Sequence, residues 1–316
     1  MQSAHPQLRR EQRPRIYVVV PVHNRKVWTE RFLLCIEKQT WKNFEVILVD
    51  DGSTDGTAEL VRRKHPAATL LRGDGNLWWT GAINLGIRHV MSRAAEHDAV
   101  LIINDDVEID SGYLGTVSRL FCSMPRTLIG SVLVDIDHPD VISNGGNTLN
   151  WWTAKLTVVN RGRKLAEFGS HHVVEASFLT GRGTLIPIAV LRHVGLYDDA
   201  HFQQCGDTEL PVRANKHGYR LIVSYAAVVK TPSGMSAAIN VCEHYRLSDA
   251  KSYFLGIKSN CRLYYRFFFA LKSATSPLQF MSFLIFDLSR VTWHFVSRLR
   301  LRRVALGTYR IRAPAK

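Results

Sequence analysis

A chain of 316 residues with 46% hydrophobic residues is long and apolar enough for one large α/β domain plus an appendage. Its five cysteines (Cys35, Cys122, Cys205, Cys242 and Cys261) are scattered without a CxxC pair, which excludes a disulfide framework or zinc site and points to thiols in a reducing compartment. The formal net charge of +14 is accompanied by no nucleic-acid motif, so nucleic acid is not an expected partner.

In chain order, residues 1–14 read as a loose basic tail, and the polar, basic stretch Met1 to Arg15 predicts no secretory signal. Ile16-Tyr17-Val18-Val19-Val20, before Pro21, reads as a buried strand. Trp28, Phe32, Cys35 and Ile36 follow at helical spacing. Val46-Ile47-Leu48-Val49 is a second strand ending in Asp50-Asp51. The next residues, Gly52-Ser53-Thr54-Asp55-Gly56-Thr57, are turn and capping chemistry for a helix to about His65. A third strand is expected at Thr69-Leu70-Leu71 and a third helix from Gly81 to Ala95. Ala99-Val100-Leu101-Ile102-Ile103 is another buried strand, ending in Asn104-Asp105-Asp106, with a helix starting near Ser111.

Two strands of one sheet therefore end in paired acids, where open α/β sheets bind ligands. Hard carboxylate oxygens there suit Mg²⁺ or Mn²⁺, which reach proteins through one or two carboxylates plus phosphate. The alternative is that these acids cap helices, and for Asp51 and Asp55 turn and capping duty explains the residues as well.

Residues 126–185 are less periodic and read as added strands and loops over the site. Within them, Gly181 and Gly183 flank Arg182, allowing close backbone approach to a ligand or forming a tight turn. Leu210 to His217 reads as a short helix ended by Gly218, and Tyr219 to Tyr225 as a strand. Trp78 and Trp79 offer aromatic faces that can pack against a ligand or in the core, one expected toward the site and one packed.

Residues 236–316 read as a helical, aromatic and basic region. Between Lys272 and Asp287 only fourteen residues are uncharged and Pro277 interrupts them, too few for the roughly 20 apolar residues of a spanning helix. Eight Lys or Arg and no acid from Leu288 to Lys316 fit a helix in the interface of an anionic membrane; packing against the α/β domain or a second subunit is the alternative.

Val19-Val20-Pro21-Val22-His23-Asn24-Arg25, Gln39-Thr40, Val49-Asp50-Asp51-Gly52-Ser53-Thr54-Asp55-Gly56-Thr57 and Asn104-Asp105-Asp106 together resemble a family 2 glycosyltransferase of the GT-A fold over residues 15–230. Gly73 to Gly86, which includes Asn84, resembles the branch containing bacterial rhamnosyltransferases and related cell-surface polysaccharide enzymes. The resemblance implies a Rossmann-like, mostly parallel α/β sheet flanked by helices over residues 15–235, with a nucleotide-sugar half to about 125, an acceptor half beyond it and a C-terminal helical appendage. It implies Asp106 as metal ligand, Asp105 as a ribose contact or water-mediated support, and Asp50 as reader of a uracil or thymine ring. Pro21, His23 and Asn24, with Asp51, Trp78, Trp79 and Asn84, would line the donor site.

Phe202 to Arg213 is similar to the family's Glu-Asp-x-Asp-Leu-x-x-Arg segment, which places Asp207 as catalytic base and Glu209 as a supporting acid; Gly206 departs from the pattern. Where many relatives carry a histidine after the following strand, this chain has Lys230, a candidate diphosphate clamp.

The expected function is inverting, metal-dependent transfer from a UDP- or dTDP-linked sugar to a cell-surface glycan or lipid-linked acceptor at the cytoplasmic membrane face. A nucleotidyltransferase would want a Gly-rich, basic phosphate loop after the first strand, which Pro21 to Arg25 does not offer. A dinucleotide-binding oxidoreductase would want GxGxxG there. A decayed sugar-binding scaffold on the same fold is the non-enzyme alternative, and retained Asp106 and Asp207 argue against it.

Overall fold

The computed structural model describes residues 13–232 and 245–309, with side chains to residue 299. The chain divides into two compact units, one of residues 13–148 and 157–232, the other of residues 149–156 and 245–309. Most of the proposed basic tail, and part of the basic C-terminal run, lie outside the described residues.

In the first unit β1 (Ile16–Val22), β2 (Phe44–Asp50), β3 (Thr69–Arg72) and β4 (Ala99–Ile102) are parallel, linked by α1 (Lys26–Glu37), α2 (Thr57–Lys64) and α3 (Trp78–Met91). α4 (Tyr113–Ser123), β5 (Thr127–Asp135) and β6 (Ile142–Asn144) follow, then β7 (Asn147–Leu149) and β8 (Leu156–Val158), which form a two-stranded sheet. β9 (Val173–Glu175), β10 (Thr184–Pro187), α5 (Ile188–Val194), α6 (Glu209–Lys216) and β11 (Arg220–Thr231) complete the unit. The main sheet runs β3-β2-β1-β4-β10-β5-β11-β9, with β6 on β5. β10 is antiparallel to both its neighbours, and β11 is parallel to β5.

Both faces of this sheet are covered, which is why its strands are almost wholly apolar. On β1, Ile16, Val18 and Val20 pack with Phe32 and Leu33 of α1 and Val117 of α4. Tyr17 and Val19 point the other way, to Ile83, Ile87 and Val90 of α3. This alternation is the two-residue period of a strand.

The chain steps from β1 to β2 and β3 on one side, then returns to place β4 on the other side of β1. That reversal opens a crevice at the carboxyl ends of β1 and β4, the location where such sheets take ligands. His23 to Arg25 and Asn104 to Asp106 leave the sheet there.

Three elements depart from the sequence reading. The third helix starts at Trp78, not Gly81, because Asp51 accepts the Trp78 N–H at 3.1 Å; it ends at Met91, not Ala95. Residues 127–135, expected among loops and added strands, form a buried strand inside the main sheet. Its polar Ser131 is satisfied there, within 2.7 Å of the Tyr113 hydroxyl and donating to Gly183 O at 2.9 Å. The last strand passes beyond Tyr225 to Thr231, across a register shift between Ser224 and Val228 that a bulge accommodates.

The second unit holds α7 (Ala250–Leu255), α8 (Leu263–Ser273) and α9 (Pro277–Tyr309), and Tyr253 of α7 packs with Tyr245, Cys261 and Val291 and Phe295 of α9. Pro277 opens α9, where its missing N–H costs no helical hydrogen bond. Trp151 stacks on Phe283 at 6.1 Å, and Asp287 is paired with Arg266 at 3.0 Å. Among the described residues no helix is long and apolar enough to cross a membrane.

Candidate active site

The turns after β1 and β2 brace one another. Asn24 takes a left-handed φ of 52° and its Oδ1 accepts the Thr54 N–H at 2.8 Å, while Ser53 Oγ accepts the Asn24 N–H at 2.9 Å. His23 Nδ1 lies 2.5 Å from Asp51 O. Pro21 is half-buried at the end of β1, in register with Val49. Asp50 is fully buried: Oδ1 accepts the Ser53 N–H at 2.9 Å, and Arg72 lies 3.3 Å from Oδ2, which has no aligned hydrogen bond. Asp51 spends both oxygens on backbone, accepting from Gly75 at 2.8 Å and Trp78 at 3.1 Å. Asp55 likewise accepts the Thr57 N–H at 3.0 Å ahead of α2.

Trp78 sits at φ 56°, a strained setting for a bulky residue, enforced by the Asp51 bond. Trp79 is packed: it meets Tyr197 edge-on at 5.9 Å and its indole N–H donates to Asn104 Oδ1 at 3.0 Å. Asn84, grouped with the donor residues by the sequence, is 1% exposed and clamps Tyr197, donating to its carbonyl at 2.8 Å and accepting its N–H at 3.0 Å.

Asp105 and Asp106 leave β4 at 3% and 5% exposure. Arg25 Nε lies 2.7 Å from Asp105 Oδ1, and Thr29 Oγ1 donates to Asp105 Oδ2 at 3.0 Å. Burial raises the Asp105 carboxyl to about 6, against the lowering effect of Arg25. Asp106 Oδ2 is shared, 3.5 Å from Arg25 and 3.4 Å from Arg182. Asp106 Oδ1 is buried with no hydrogen-bond partner.

A buried carboxylate oxygen left without a donor fits a hard cation. Among the described residues no group of three or more His, Cys, Asp or Glu converges on one point. The donor set therefore suits an ion held by Asp106 and completed by phosphate and water oxygens, as Mg²⁺ prefers.

Residues 180–183 join this acid pair to the turn that carries Asp207. Arg182 reaches Asp106, while the Gly181 N–H donates to Asp207 Oδ2 at 3.1 Å. Gly181 has no room for a Cβ, which would strike the Trp79 ring. Asp207 lies half-buried in a short 3-10 turn, Gly206–Thr208, ahead of α6. Desolvation pushes its carboxyl up, opposed by the Gly181 N–H and the Arg182 charge. The preceding loop is tied to α3: Thr80 donates its N–H to Gln203 O at 2.9 Å and its hydroxyl to Phe202 O. A Cβ at position 206 would collide with the Thr80 side chain, so Gly206 is a steric fit to this chain's own α3.

Glu209 is buried and bidentate with Arg213, at 2.7 Å and 3.0 Å; Arg213 also donates to Leu196 O at 2.6 Å. It holds α6 against the loop after α5. Lys230 exchanges backbone bonds with Glu108 at 2.9 Å in each direction, which brings it beside the segment following Asp106. Its ammonium pairs with Asp110 at 2.7 Å.

Sequence reasoning left Arg25, Asn104 and Thr80 without roles. Arg25 and Asn104 stand inside motifs quoted for the family resemblance, and their partners lie across the crevice, beyond the reach of local spacing.

With this geometry in place, comparison with known proteins is informative. The family described as glycosyl transferase family 2 matches residues 17–177, just over half of the chain. An N-acetylglucosaminyl-diphospho-decaprenol L-rhamnosyltransferase of Mycobacterium tuberculosis is 25% identical over 243 residues, covering 71% of this chain and 78% of that protein. A GalNAc(5)-diNAcBac-PP-undecaprenol beta-1,3-glucosyltransferase of Campylobacter jejuni is 29% identical over 122 residues, 39% of each chain. Among solved structures, a mannosyltransferase from Pyrobaculum calidifontis in complex with GDP-Man and Mn²⁺ superposes with a TM-score of 0.59 at 18% identity, covering 96% of this chain and 77% of that one.

Proposed function

We propose, from the premise that this chain belongs to glycosyl transferase family 2 and is a GT-A-fold glycosyltransferase using a nucleotide-sugar donor, that it is an inverting, metal-dependent enzyme acting on a cell-surface glycan or its lipid carrier. The observation that carries this reading is the loop at 181–182, which holds Asp207 through the Gly181 N–H and Asp106 through Arg182. The acid proposed to hold the cation and the acid proposed to take the proton are thus contacted by two consecutive residues.

Asp106 would hold Mg²⁺ or Mn²⁺, whose charge neutralises the diphosphate leaving group. The solved mannosyltransferase is in complex with GDP-Man and Mn²⁺, and that likeness motivates the same cation here. Asp50, beside the turns that carry Pro21, His23 and Asn24, would take the ring N–H of a UDP or dTDP base, and Asp105 would support the ribose side. Asp207 would take the proton of the acceptor hydroxyl as its oxygen attacks the anomeric carbon; the bond to the diphosphate breaks on the opposite face, inverting that centre. A pKa raised by desolvation makes Asp207 a stronger base than an ordinary carboxylate.

The lipid-linked acceptor is proposed because the Mycobacterium and Campylobacter relatives are named for decaprenol- and undecaprenol-linked substrates. The second unit suits a peripheral site on an anionic, cytoplasmic membrane face: Phe267 and Leu271 on α8, and Leu278, Met281, Ile285 and Trp293 on α9, are exposed apolar side chains. Residues 245–299 hold eight Lys or Arg and two acids, of which Asp287 is buried against Arg266. Such a face with basic flanks binds interfaces.

The test is turnover of a panel of UDP-, dTDP- and GDP-sugars with Mn²⁺ and a polyprenyl-diphosphate-linked sugar. Donor-dependent product with inverted anomeric configuration, lost on chelation, is expected. Retained configuration, or full activity in chelator, would refute the mechanism. For the membrane face, Ile285→Asp with Trp293→Ala should reduce binding to phosphatidylglycerol vesicles. Unchanged binding, with an oligomer mass that falls in the variant, would identify the face as a subunit contact instead.

A further inference from the structure

We propose that Arg25 is a charge-selectivity residue that keeps free divalent ions out of the acid pair and admits them together with the nucleotide diphosphate. The inference rests on the reading that Asp106 holds the cation.

Arg25 is placed by its backbone neighbours. Asn24 is pinned to the β2 turn through Ser53 and Thr54, and the N–H of Lys26 donates to Asp55 Oδ2 at 2.9 Å. Between these anchors Arg25 has a non-helical φ of −135° and ψ of 36°, just ahead of α1. Its side chain crosses the crevice to the end of β4. There Nε stands 2.7 Å from Asp105 Oδ1 and one terminal nitrogen 3.5 Å from Asp106 Oδ2. The arginine side chain as a whole is 29% exposed, against 3% and 6% for the two carboxylates, while its Nε and one terminal nitrogen are buried beside them.

The contact is an ion pair without the alignment of a fork. Neither Nε nor that terminal nitrogen meets hydrogen-bond geometry, although both are buried. A structural Arg–carboxylate clamp normally uses two parallel, aligned bonds. The four carboxylate oxygens are also unequally used: Asp105 Oδ2 has Thr29, Asp105 Oδ1 faces Arg25, Asp106 Oδ2 is shared between Arg25 and Arg182, and Asp106 Oδ1 has no partner. The position open to a cation thus lies on a carboxylate whose other oxygen faces two positive charges.

Charge accounting gives the consequence. Asp105 and Asp106 face the two guanidinium groups of Arg25 and Arg182. A bare dication would add two positive charges beside Arg25 and Arg182, where screening by water is reduced. An ion paired with a nucleoside diphosphate, whose negative charges at least match the ion's, adds no positive charge, and its phosphate oxygens are partners that guanidinium binds well. Removing the positive charge at position 25 removes repulsion felt by the bare ion and one attraction felt by the diphosphate. Affinity for free Mn²⁺ should therefore rise, and the mutual reinforcement of ion and nucleotide should fall by the same linkage. A strut that merely shaped the site would lose affinity for both when removed.

The experiment is Mn²⁺ binding to the full chain at pH 8, read from the electron paramagnetic resonance signal of free Mn²⁺, with and without UDP, dTDP or GDP. Wild type should bind Mn²⁺ at least about tenfold more tightly with its preferred nucleotide than alone, the size expected of one partly screened charge. Arg25→Gln should bind free Mn²⁺ about tenfold more tightly than wild type and lose most of that nucleotide dependence, while Arg25→Lys keeps the wild-type pattern. Asp106→Asn should lose Mn²⁺ in every condition. Wild-type Mn²⁺ affinity that is the same with and without nucleotide overturns the proposal, whether or not the glutamine variant folds. Free-ion affinity that is unchanged or weaker in folded Arg25→Gln also overturns it, while nucleotide-dependent binding lost in Asp106→Asn would leave the metal assignment standing. Absence of Mn²⁺ binding by wild type with all three nucleotides overturns the metal reading and this proposal together.

Discussion

At the end of β4 two buried carboxylates share two arginines, whereas before α6 the half-buried Asp207 has the Gly181 N–H and, at longer range, the Arg182 charge. Burial pushes Asp105 and Asp207 upward alike. What differs is compensation. The first pair is tied by guanidinium charge, which favours ionised acids and suits a cation-holding site. Asp207 meets the Gly181 N–H and the Arg182 charge, and its raised proton affinity suits an acid proposed to accept a proton. Carboxylates of one residue type can thus be assigned separate tasks by what surrounds them.

The largest way to break this contrast is to remove the oxygen proposed to hold the cation. Asp106→Ala should reduce transfer by about 10³-fold, the scale of losing a group that stabilises the leaving charge. Nucleoside diphosphate binding should weaken in Mn²⁺ and change little in chelator. Equal weakening in both conditions would mean that Asp106 acts on the nucleotide without an ion.

Asp207→Asn attacks the other side. It should lower the transfer rate by about 10²–10⁴-fold with near-normal donor affinity, the usual worth of a positioned base. The pH profile gives the sign independently. A base must be ionised, and a raised pKa shifts ionisation to higher pH, so the wild-type rate should climb with pH through that raised value. The limb should vanish in Asp207→Asn. Glu209→Gln should chiefly lower the melting temperature, because it weakens the buried pair with Arg213, while sparing most of the rate in the folded enzyme. A rate loss confined to Glu209→Gln would move the base by two residues.

A smaller effect tests how the turn that carries Asp207 is held. Gly206→Ala should destabilise the fold by about 1–3 kcal/mol through overpacking against Thr80. Thr80→Ala should recover part of that loss in the double variant, measured by denaturant unfolding as a coupling between neighbours. Strict additivity would place the steric conflict elsewhere.

How much of this was legible in the sequence depended on the distance over which each residue's reason acts. β1, β2 and β4 are readable because both faces are buried, leaving apolar runs that end abruptly in acids. β5 was harder, since Gly130 and Ser131 interrupt its apolar run and Ser131 is acceptable only because Tyr113 and Gly183 satisfy its hydroxyl. β11 outruns its apparent end because a bulge lets the ladder resume at Val228. Asp106 and Asp207 stood out by motif. Arg25 did not, because its partners are about 80 residues away in the chain and only the sheet reversal brings them together. Gly206 looked like a lost acid; its reason is the Thr80 side chain on another element.

The smallest predicted effect concerns Lys230, whose proposed phosphate contact competes with an existing partner. Its ammonium is 2.7 Å from Asp110, and the Asp110 side chain is 73% exposed. An exposed pair of this kind contributes about 0–1 kcal/mol, so it can be exchanged for a diphosphate oxygen at little cost. The net gain is a difference between two ion pairs and should be modest. Lys230→Met is expected to weaken nucleoside diphosphate binding by about three- to tenfold, less than a fully desolvated clamp would give. Asp110→Asn should act in the opposite direction, strengthening binding slightly by freeing the ammonium. Calorimetry on both variants with Mn²⁺ present reads the two signs. If both changes weaken binding equally, the Lys230–Asp110 pair supports the site as a unit and the lysine is not the phosphate contact. If neither changes it, the diphosphate is held without Lys230, and Arg25 and Arg182 become the remaining candidate cations beside Asp106.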